Sequence, residues 1–180
     1  MPESRPSRAE AFEIRAAVPE DAEAIARTNV AAGRAAWDTF LPSERLTAFE
    51  PPTDRWLERL ADAGAGNAWV AVADGEVVGF AVARPSPTPD EPGEVTGLYT
   101  LPSVWGLGAG RALLGRALEA LAAHGCHEAV LWTEERNTRP RAFYEAAGWR
   151  PDGARREREF LDCPIRELRY RIALPARARG

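Results

Sequence analysis

Three glycines at alternate positions, Gly106, Gly108 and Gly110, are the feature that most constrains this chain. They follow a run of β-prone residues and precede residues with the apolar spacing of a helix, which begins near Arg111. Glycine lets a backbone approach a ligand closely, and the first turn of a helix presents unpaired N–H groups at the positive end of its dipole. A strand, a glycine loop and a helix in this order therefore predict a binding site for the phosphates of a cofactor.

Composition and charge exclude several classes of protein. The chain has 180 residues, which favours one domain, and its net charge of −4 gives no general attraction to nucleic acid. Cys126 and Cys163 lack the spacing of metal ligands, and the histidines around Cys126 lie too close to it for a zinc module, so we expect no metal. No apolar stretch has the length of a membrane span and no apolar segment of a signal peptide is seen, so we expect a cytoplasmic protein without membrane contact.

Hydrophobic periodicity and turn residues indicate the order of the elements. Alternating apolar residues mark strands, and apolar residues at helical spacing mark helices, in the order β α α β β β, glycine loop, α β α β β. Asp74-Gly75 between two apolar runs predicts an antiparallel hairpin. We expect one domain over residues 10–174, with a disordered lead at 1–9 and a flexible tail at 175–180.

Three motifs follow one another along the chain. They are the strand end Leu98-Tyr99-Thr100-Leu101-Pro102, the loop with Gly108 and Gly110, and Asn137 followed by Tyr144 and then Gly148-Trp149. Together with the order of elements, they make almost the whole chain resemble the GNAT superfamily of acetyl-CoA-dependent N-acetyltransferases. The resemblance implies an α/β (α+β) fold whose central, mixed, largely antiparallel and twisted sheet has about seven strands, is flanked by about four helices and is splayed at the cofactor site.

The resemblance also implies an activity. A GNAT enzyme moves an acetyl group from acetyl-CoA, its cosubstrate, to a primary amine by direct attack. Here the amine would belong to a small molecule (a polyamine, an antibiotic or an amino-acid-like compound) or to a peptide, and a homodimer is compatible with the fold. We expect cofactor contacts from the strand end, the loop, the helix start and the downstream asparagine, namely Leu98, Tyr99, Thr100, Gly106, Leu107, Gly108, Ala109, Gly110, Arg111 and Asn137.

The loop departs from the family pattern at its first residue. Trp105 stands where the family has arginine or glutamine, a side chain that helps to order the loop or the phosphates. The backbone amides are therefore expected to carry most of the phosphate recognition. Arg111 enters the helix beside them, and it either compensates for the missing side chain or is solvated.

Acetyl transfer to an amine needs a base and an acid. An alkylamine arrives mostly protonated because its pKa is near ~10, so a side chain or a water must remove the proton. Glu94 is the candidate base, since it lies on the strand before the loop and shares a strand face with Thr96, with which it would hold a water. The alternative for Glu94 is a surface glutamate. By the resemblance, Tyr144 is the candidate acid that protonates the departing thiolate.

The acceptor pocket is expected at the first helix and its exit. Residues 33–42 partly resemble a family pattern that lines this pocket, with Trp37 in place of a tyrosine and Gly33 in place of a tryptophan. Trp37, Phe40 and Thr96 are therefore expected to bind the acceptor. The alternative is that Trp37 and Phe40 only pack the helix onto the sheet.

Other functions use similar motifs. A Rossmann-type oxidoreductase also has a glycine loop, but that loop follows the first strand, whereas this one lies mid-chain after an antiparallel hairpin. A non-catalytic protein of the GNAT fold that binds acetyl-CoA as a sensor or interaction module stays open, because Trp105 breaks the loop pattern and the base has an alternative. Action on aminoacyl-tRNA requires a basic face, which the net charge argues against.

Overall fold

In the residues that it describes, 12–50, 53–62, 67–88 and 90–175, the computed structural model shows a seven-stranded sheet and five α-helices. The strands are β1 (Glu13–Ala16), β2 (Ala68–Ala73), β3 (Glu76–Arg84), β4 (Gly93–Thr100), β5 (Glu128–Glu134), β6 (Arg150–Phe160) and β7 (Cys163–Ala173). The helices are α1 (Ala22–Trp37), α2 (Ser43–Ala48), α3 (Thr53–Asp62), α4 (Ala109–Ala123) and α5 (Thr138–Ala146). The predicted lead at 1–9 and residues 176–180 of the predicted tail lie outside the described residues.

The order of the strands in the sheet is β1-β2-β3-β4-β5-β7-β6. Neighbouring strands are antiparallel except β4 and β5, which run parallel and pair only at Gly93–Ala129 and Glu94–Val130. Beyond these pairs β4 and β5 diverge, whereas every residue of β5 stays paired with β7. The predicted mixed, largely antiparallel sheet is confirmed, and its splay begins after Glu94.

Both faces of the sheet are covered, which explains the continuous apolar runs of β2 and β3. Trp69 and Ala81 pack in one core cluster with residues of α4, such as Leu113. Val70 and Phe80, their neighbours along the strands, pack in a second cluster with α1 and α3. The predicted hairpin between these two strands is also confirmed, and Asp74 and Gly75 in its turn have φ of 51° and 80°.

The described part of the chain contains one helix more than the predicted four, the six-residue α2. The element order predicted from the sequence has no helix between α1 and α3. Arg34 of α1 donates to the carbonyl oxygens of Leu46, Thr47 and Phe49 at 2.8–3.1 Å, and so satisfies the carboxyl end of α2. The helix α2 is therefore stabilised by a contact from α1. The apolar periodicity of a six-residue segment does not indicate such a contact.

The hairpin of β6 and β7 packs against the exit of α1. Trp37, Leu41 and Leu46 form a core cluster with Ile165 of β7. An ion pair of 2.7 Å between Arg45 and Asp162, in the turn of the hairpin, joins the same two parts of the chain. This packing brings the hairpin and the end of α1 together beside the splay of the sheet.

Among the described residues, no helix has the length and apolar character that crossing a membrane requires.

Candidate active site

A cavity of about 900 Å³ lies in the splay between β4 and β5. Its local cause is in β4, whose register against β3 shifts so that Val95 pairs with Ala83 and Gly97 with Val82, which leaves Thr96 as a bulge. A bulge bends its strand and increases the twist, so the outer half of β4 turns away from β5. Most predicted site residues line the cavity: Trp37, Phe40, Thr96, Leu98, Tyr99, Thr100, Gly106, Gly108, Gly110, Arg111, Asn137 and Tyr144. The predicted Leu107, Ala109 and Glu94 are not among the lining residues.

The glycine loop, residues 105–110, brings unpaired backbone amides to one end of the cavity. Gly106 and Gly108 have φ of 77° and 107°, a left-handed conformation in which other residues are strained. Among the described residues, no backbone oxygen accepts from the N–H groups of these two glycines. The first three amides of α4 are free as well, because the first turn of a helix lacks acceptors of its own. These donors, at the positive end of α4, fit the phosphates of a cofactor.

Trp105, at the start of the loop, is fixed by two contacts. Its Nε1–H donates to the carbonyl oxygen of Thr100 at 3.0 Å, which ties the loop to the end of β4. The guanidinium of Arg139, from the first turn of α5, lies over the indole at 4.1 Å from the ring centroid. Arg139 also lines the cavity, so the structure places a cation next to the loop that the sequence did not identify.

The free edge of β4 presents backbone donors to the cavity. The N–H of Leu101 donates to the carbonyl oxygen of Val78 on β3 at 2.8 Å. N–H groups of successive residues point to opposite edges of a strand, so those of Leu98 and Thr100 point away from β3. Beyond Glu94, β5 no longer pairs with this edge. These two amides are therefore available to a ligand that pairs with the edge as an added strand does.

Asn137 precedes α5 and is buried. It occupies the N-cap position, but its side chain makes no capping hydrogen bond. The side chain lines the cavity instead. The side-chain amide of Asn137 is therefore free to bind a ligand in the cavity.

Tyr144 is buried and lines the cavity, on the face of α5 that packs toward Trp149. Burial, and to a smaller extent the neighbouring Tyr99, raises the pKa of its phenol above the ordinary value. Within the described residues its hydroxyl has no hydrogen-bond partner, in contrast to Tyr170, whose hydroxyl donates to Glu145 at 2.7 Å. Tyr144 therefore stays protonated and has a proton to donate.

Aromatic side chains form the opposite end of the cavity. Trp37 packs edge-on against Tyr99 and Phe160, at centroid distances of 5.9 and 4.8 Å, and all three line the cavity. Gly33, one turn earlier on α1, leaves the space that the indole occupies, because a Cβ there would lie 2.5 Å from Trp37 Cη2. The glycine and the tryptophan of this segment are thus a matched pair. Trp37 packs the helix and also lines the cavity, and its contact with the acceptor stays a prediction.

Gly33→Ala is expected to lower the free energy of unfolding by about 1–3 kcal/mol, because the added methyl group overlaps the Trp37 ring. Gly115→Ala in α4 is the matched control, since a Cβ there meets nothing within 4 Å. That change should instead stabilise the protein, by up to about 1 kcal/mol, through helix propensity. Urea denaturation of both variants measures the difference, and equal stabilisation by both would show that Trp37 does not depend on the gap at Gly33.

Two buried carboxylates lie between the aromatic end and the splay. Glu134, the last residue of β5, pairs across the sheet with Glu167 of β7, and both line the cavity. Glu134 accepts from the backbone N–H and the Nε of Arg136, at 2.5 and 2.7 Å. Glu167 accepts from the Nε of Arg156 at 2.6 Å and from that of Arg158 at 3.0 Å. Directly opposite like charges destabilise a sheet, so this pair points to a function.

The charge state of Glu167 follows from its partners. Burial is the largest single effect and raises the pKa of this carboxyl. The hydrogen bonds and charges of Arg158 and Arg156 together outweigh it and lower the pKa below the ordinary value. Glu167 is therefore a fixed negative charge at neutral pH.

The structure does not bring Glu94, the candidate base, to the cavity. Its carboxylate forms an ion pair with Arg84, on the stretch of β4 that still pairs with β5. Thr96 does line the cavity, but its hydroxyl lies 3.0 Å from the Nη2 of Arg59. The bulge at Thr96 interrupts the alternation of side chains, so the two-residue rule that placed Glu94 and Thr96 on one face does not hold across it.

Sequence reasoning missed four charged residues of the lining. They are Glu134, Arg139, Arg158 and Glu167. A signal for Glu134 was present, because Glu134-Glu135 follows directly on an apolar run. The ends of strands and the loops that follow them often carry functional side chains. No signal was present for the others, whose place in the cavity depends on the pairing of β5, β6 and β7 and on the docking of α5.

Comparison with known proteins gives a family and a fold. The Acetyltransferase (GNAT) family matches residues 34–149. The chain is 28% identical over 144 residues to a probable N-acetyltransferase of Mycobacterium tuberculosis, covering 78% of this chain and 80% of that protein. It is 31% identical over 138 residues to an uncharacterised N-acetyltransferase of Bacillus subtilis, covering 74% and 77%. The crystal structure of the PaiA N-acetyltransferase from Thermoplasma acidophilum in complex with coenzyme A has the same fold, with a TM-score of 0.73, 18% identity and coverage of 88% and 97%.

Proposed function

Since the chain belongs to the Acetyltransferase (GNAT) family, and is thus an acyltransferase that takes its acetyl group from acetyl-CoA, we propose that its acceptor is the primary amine of a cationic small molecule or peptide. The observation that carries the proposal is the pair of buried carboxylates, Glu134 and Glu167, at the acceptor end of the cavity. The predicted cytoplasmic location and homodimer stay predictions.

The residues of the other end fit acetyl-CoA. The free amides of Gly106, Gly108 and the first turn of α4 would hold its pyrophosphate. The amides of Leu98 and Thr100 on the free edge of β4, with the side chain of Asn137, would hold the pantetheine arm. When bound, acetyl-CoA supplies an activated acyl group and a thiolate leaving group.

Charge is distributed unevenly along the cavity. Its acceptor end carries the carboxylates of Asp38, Glu134 and Glu167 and, among the described lining residues, one guanidinium, that of Arg158. Its cofactor end carries Arg111 and Arg139 and no carboxylate among the described lining residues. An anionic cofactor at one end and a cationic amine at the other match this distribution. Arg136 and Arg156 pair with Glu134 and Glu167 from outside the lining, so this end presents mainly carboxylate oxygens to an acceptor.

Glu134 is the base in this proposal. It ends β5 four residues beyond Val130, the last β5 residue that pairs with β4, so it lies on the splayed part of β5 and lines the cavity. Glu167 is the poorer choice, because two arginines hold it ionised and a carboxylate with a lowered pKa is a weaker base. Glu167 instead attracts the ammonium group, and Glu134 takes its proton directly or through a water.

Tyr144 is the acid. Its buried phenol stays protonated at neutral pH, and its hydroxyl has no partner among the described residues. It donates to the sulfur as the thiolate departs, while the amide of Leu98 or Thr100 donates to the thioester oxygen as negative charge develops there. Base and acid thus come from β5 and α5, on the side of the splay opposite β4.

The experiment is thiol release from acetyl-CoA over a panel of amines at several salt concentrations. We expect turnover with polyamines, aminoglycosides or basic peptides, and a KM for the amine that rises with salt. Amides and acidic amino acids serve as matched poor acceptors. Binding of CoA without thiol release on any amine would favour the non-catalytic sensor, and preference for acidic acceptors would overturn the role of the carboxylate pair.

A further inference from the structure

We propose that Arg139, held on the face of Trp105, binds the pyrophosphate of the cofactor and takes the place of the arginine or glutamine that the glycine loop lacks. The inference rests on the proposed function, because it assumes a CoA thioester in the cavity. It concerns a residue outside the loop, on a different helix. Three features of Arg139 support the inference. They are a stacking contact, the absence of a carboxylate partner among the described residues, and an unfavourable position on α5.

The stacking contact places the guanidinium beside the loop. Its carbon lies 4.1 Å from the centroid of the Trp105 ring, and the indole is itself held by its hydrogen bond to Thr100 at the free edge of β4. A guanidinium on an aromatic face keeps its N–H groups in the plane and free to donate. Trp105 is therefore a positioning residue, which presents Arg139 toward the ligand of the loop amides.

Arg139 differs from the arginines on either side of it. Arg136 pairs with Glu134, and Arg141 donates to the hydroxyl of Tyr170 and to the carbonyl oxygen of Glu135. For Arg139, no carboxylate in the described part of the chain lies within ion-pair distance. A planar cation with free donors, facing a cavity, is suited to bidentate binding of a phosphate.

The position of Arg139 in its helix is electrostatically unfavourable. It is the second residue of α5, whose first turn contains no acidic residue. A cation there meets the positive end of the helix dipole, which an acid would suit better. The start of α4 adds a second positive helix end at the same end of the cavity. An anion bound between them offsets both, so the unfavourable placement in the free protein becomes favourable on binding.

The test is the Kd of three ligands, measured by calorimetry: CoA, 3′-dephospho-CoA and pantetheine, which lacks every phosphate. We expect Arg139→Ala to weaken CoA and 3′-dephospho-CoA equally, by about tenfold, and to leave pantetheine unchanged. The salt dependence of CoA binding should fall in the same variant. Arg116→Ala is the control, since Arg116 is an exposed residue of α4 paired with Glu119, and it should bind all three ligands as the wild type does.

Several outcomes would overturn the inference. Unchanged CoA binding in Arg139→Ala would remove the residue from the site, and a loss confined to CoA would assign it to the 3′-phosphate instead. A loss with pantetheine as well would show a structural role. Failure of the wild-type protein to bind CoA is a separate result, because it would count against the proposed function itself.

The role of Trp105 has its own test in a double-mutant cycle. Trp105→Phe keeps an aromatic face of smaller area and removes the N–H that donates to Thr100. If Trp105 positions Arg139, then Arg139→Ala should weaken CoA binding less in the Trp105→Phe background, and least in Trp105→Ala. Equal losses in all three backgrounds would show that the two residues act independently, which contradicts the positioning role.

Discussion

Replacing Tyr144 with phenylalanine is expected to lower kcat by about a hundredfold or more, with little change in the Kd of CoA. The substitution removes one hydroxyl and leaves the ring, which packs against Phe143 and Trp149. Because burial raises the pKa of this phenol, the wild-type side chain is protonated throughout the neutral range and its loss should be felt at every assay pH. Steady-state kinetics and calorimetry on the same preparation separate the two quantities.

Tyr170→Phe is the matched control for this prediction. Tyr170 is fully buried, and its hydroxyl donates to Glu145 and accepts from Arg141, so the change should reduce stability by about 1 kcal/mol and leave kcat unchanged. An acetyl thioester with a more acidic leaving thiol should recover much of the rate of Tyr144→Phe, because such a thiolate departs without a proton. A variant with wild-type kcat, or one that gains nothing from the better leaving group, would remove Tyr144 from the proton transfer.

Local chemistry explains why much of the fold was predictable. The glycine loop at 105–110 and the sequence from Asn137 to Gly148 are each contained in one short segment, and their order along the chain specifies a strand, a loop and two helices. The hairpin at Asp74-Gly75 is equally local, since its turn needs two residues with positive φ. These elements carry their own signals, and the structure contains each of them.

We propose Glu134 as the base and not the predicted Glu94, and this difference arises from contacts that are distant in sequence. Glu94 looked suitable on an ideal strand, but a bulge at Thr96 changes which β4 side chains reach the cavity. Glu134 faces Glu167 only because β5 pairs with β7 in one register, and a shift of one residue would separate them. No pattern within one strand reports a bulge or the register with a partner strand.

The contact of Arg139 on α5 also joins segments that are distant in sequence, so the sequence alone does not predict it. The departure of Trp105 from the loop pattern is visible in the sequence, and Arg111 is the nearest cation along the chain. The contact that forms instead joins the loop to α5, through a stack that exists only once β5 and α5 are in place. A resemblance matches residues by their position in the sequence, whereas the contact between Arg139 and Trp105 depends on their proximity in space.

Glu134→Gln is expected to lower kcat/KM for the amine by about a hundredfold or more at neutral pH, since general-base catalysis contributes gains of this size. The loss should shrink as the pH rises. An alkylamine has a pKa of about 10. Below that value, each increase of one pH unit raises its neutral fraction about tenfold, and a neutral amine needs no base. The pH–rate profile of the variant should therefore climb toward that of the wild type, which a merely structural loss would not produce.

Two neighbouring variants decide which glutamate acts. Glu135→Gln, one residue further along, removes a partly exposed carboxylate paired with Arg155, and it should leave the profile unchanged. Glu94→Gln removes the carboxylate paired with Arg84. Because that group lies off the cavity, we expect no loss of kcat/KM that recovers as the pH rises. Recovery with pH in Glu94→Gln, together with an unaltered profile in Glu134→Gln, would return the base to β4. That result would also require β4 or the ion pair with Arg84 to rearrange when the amine binds, since the carboxylate does not otherwise reach the splay.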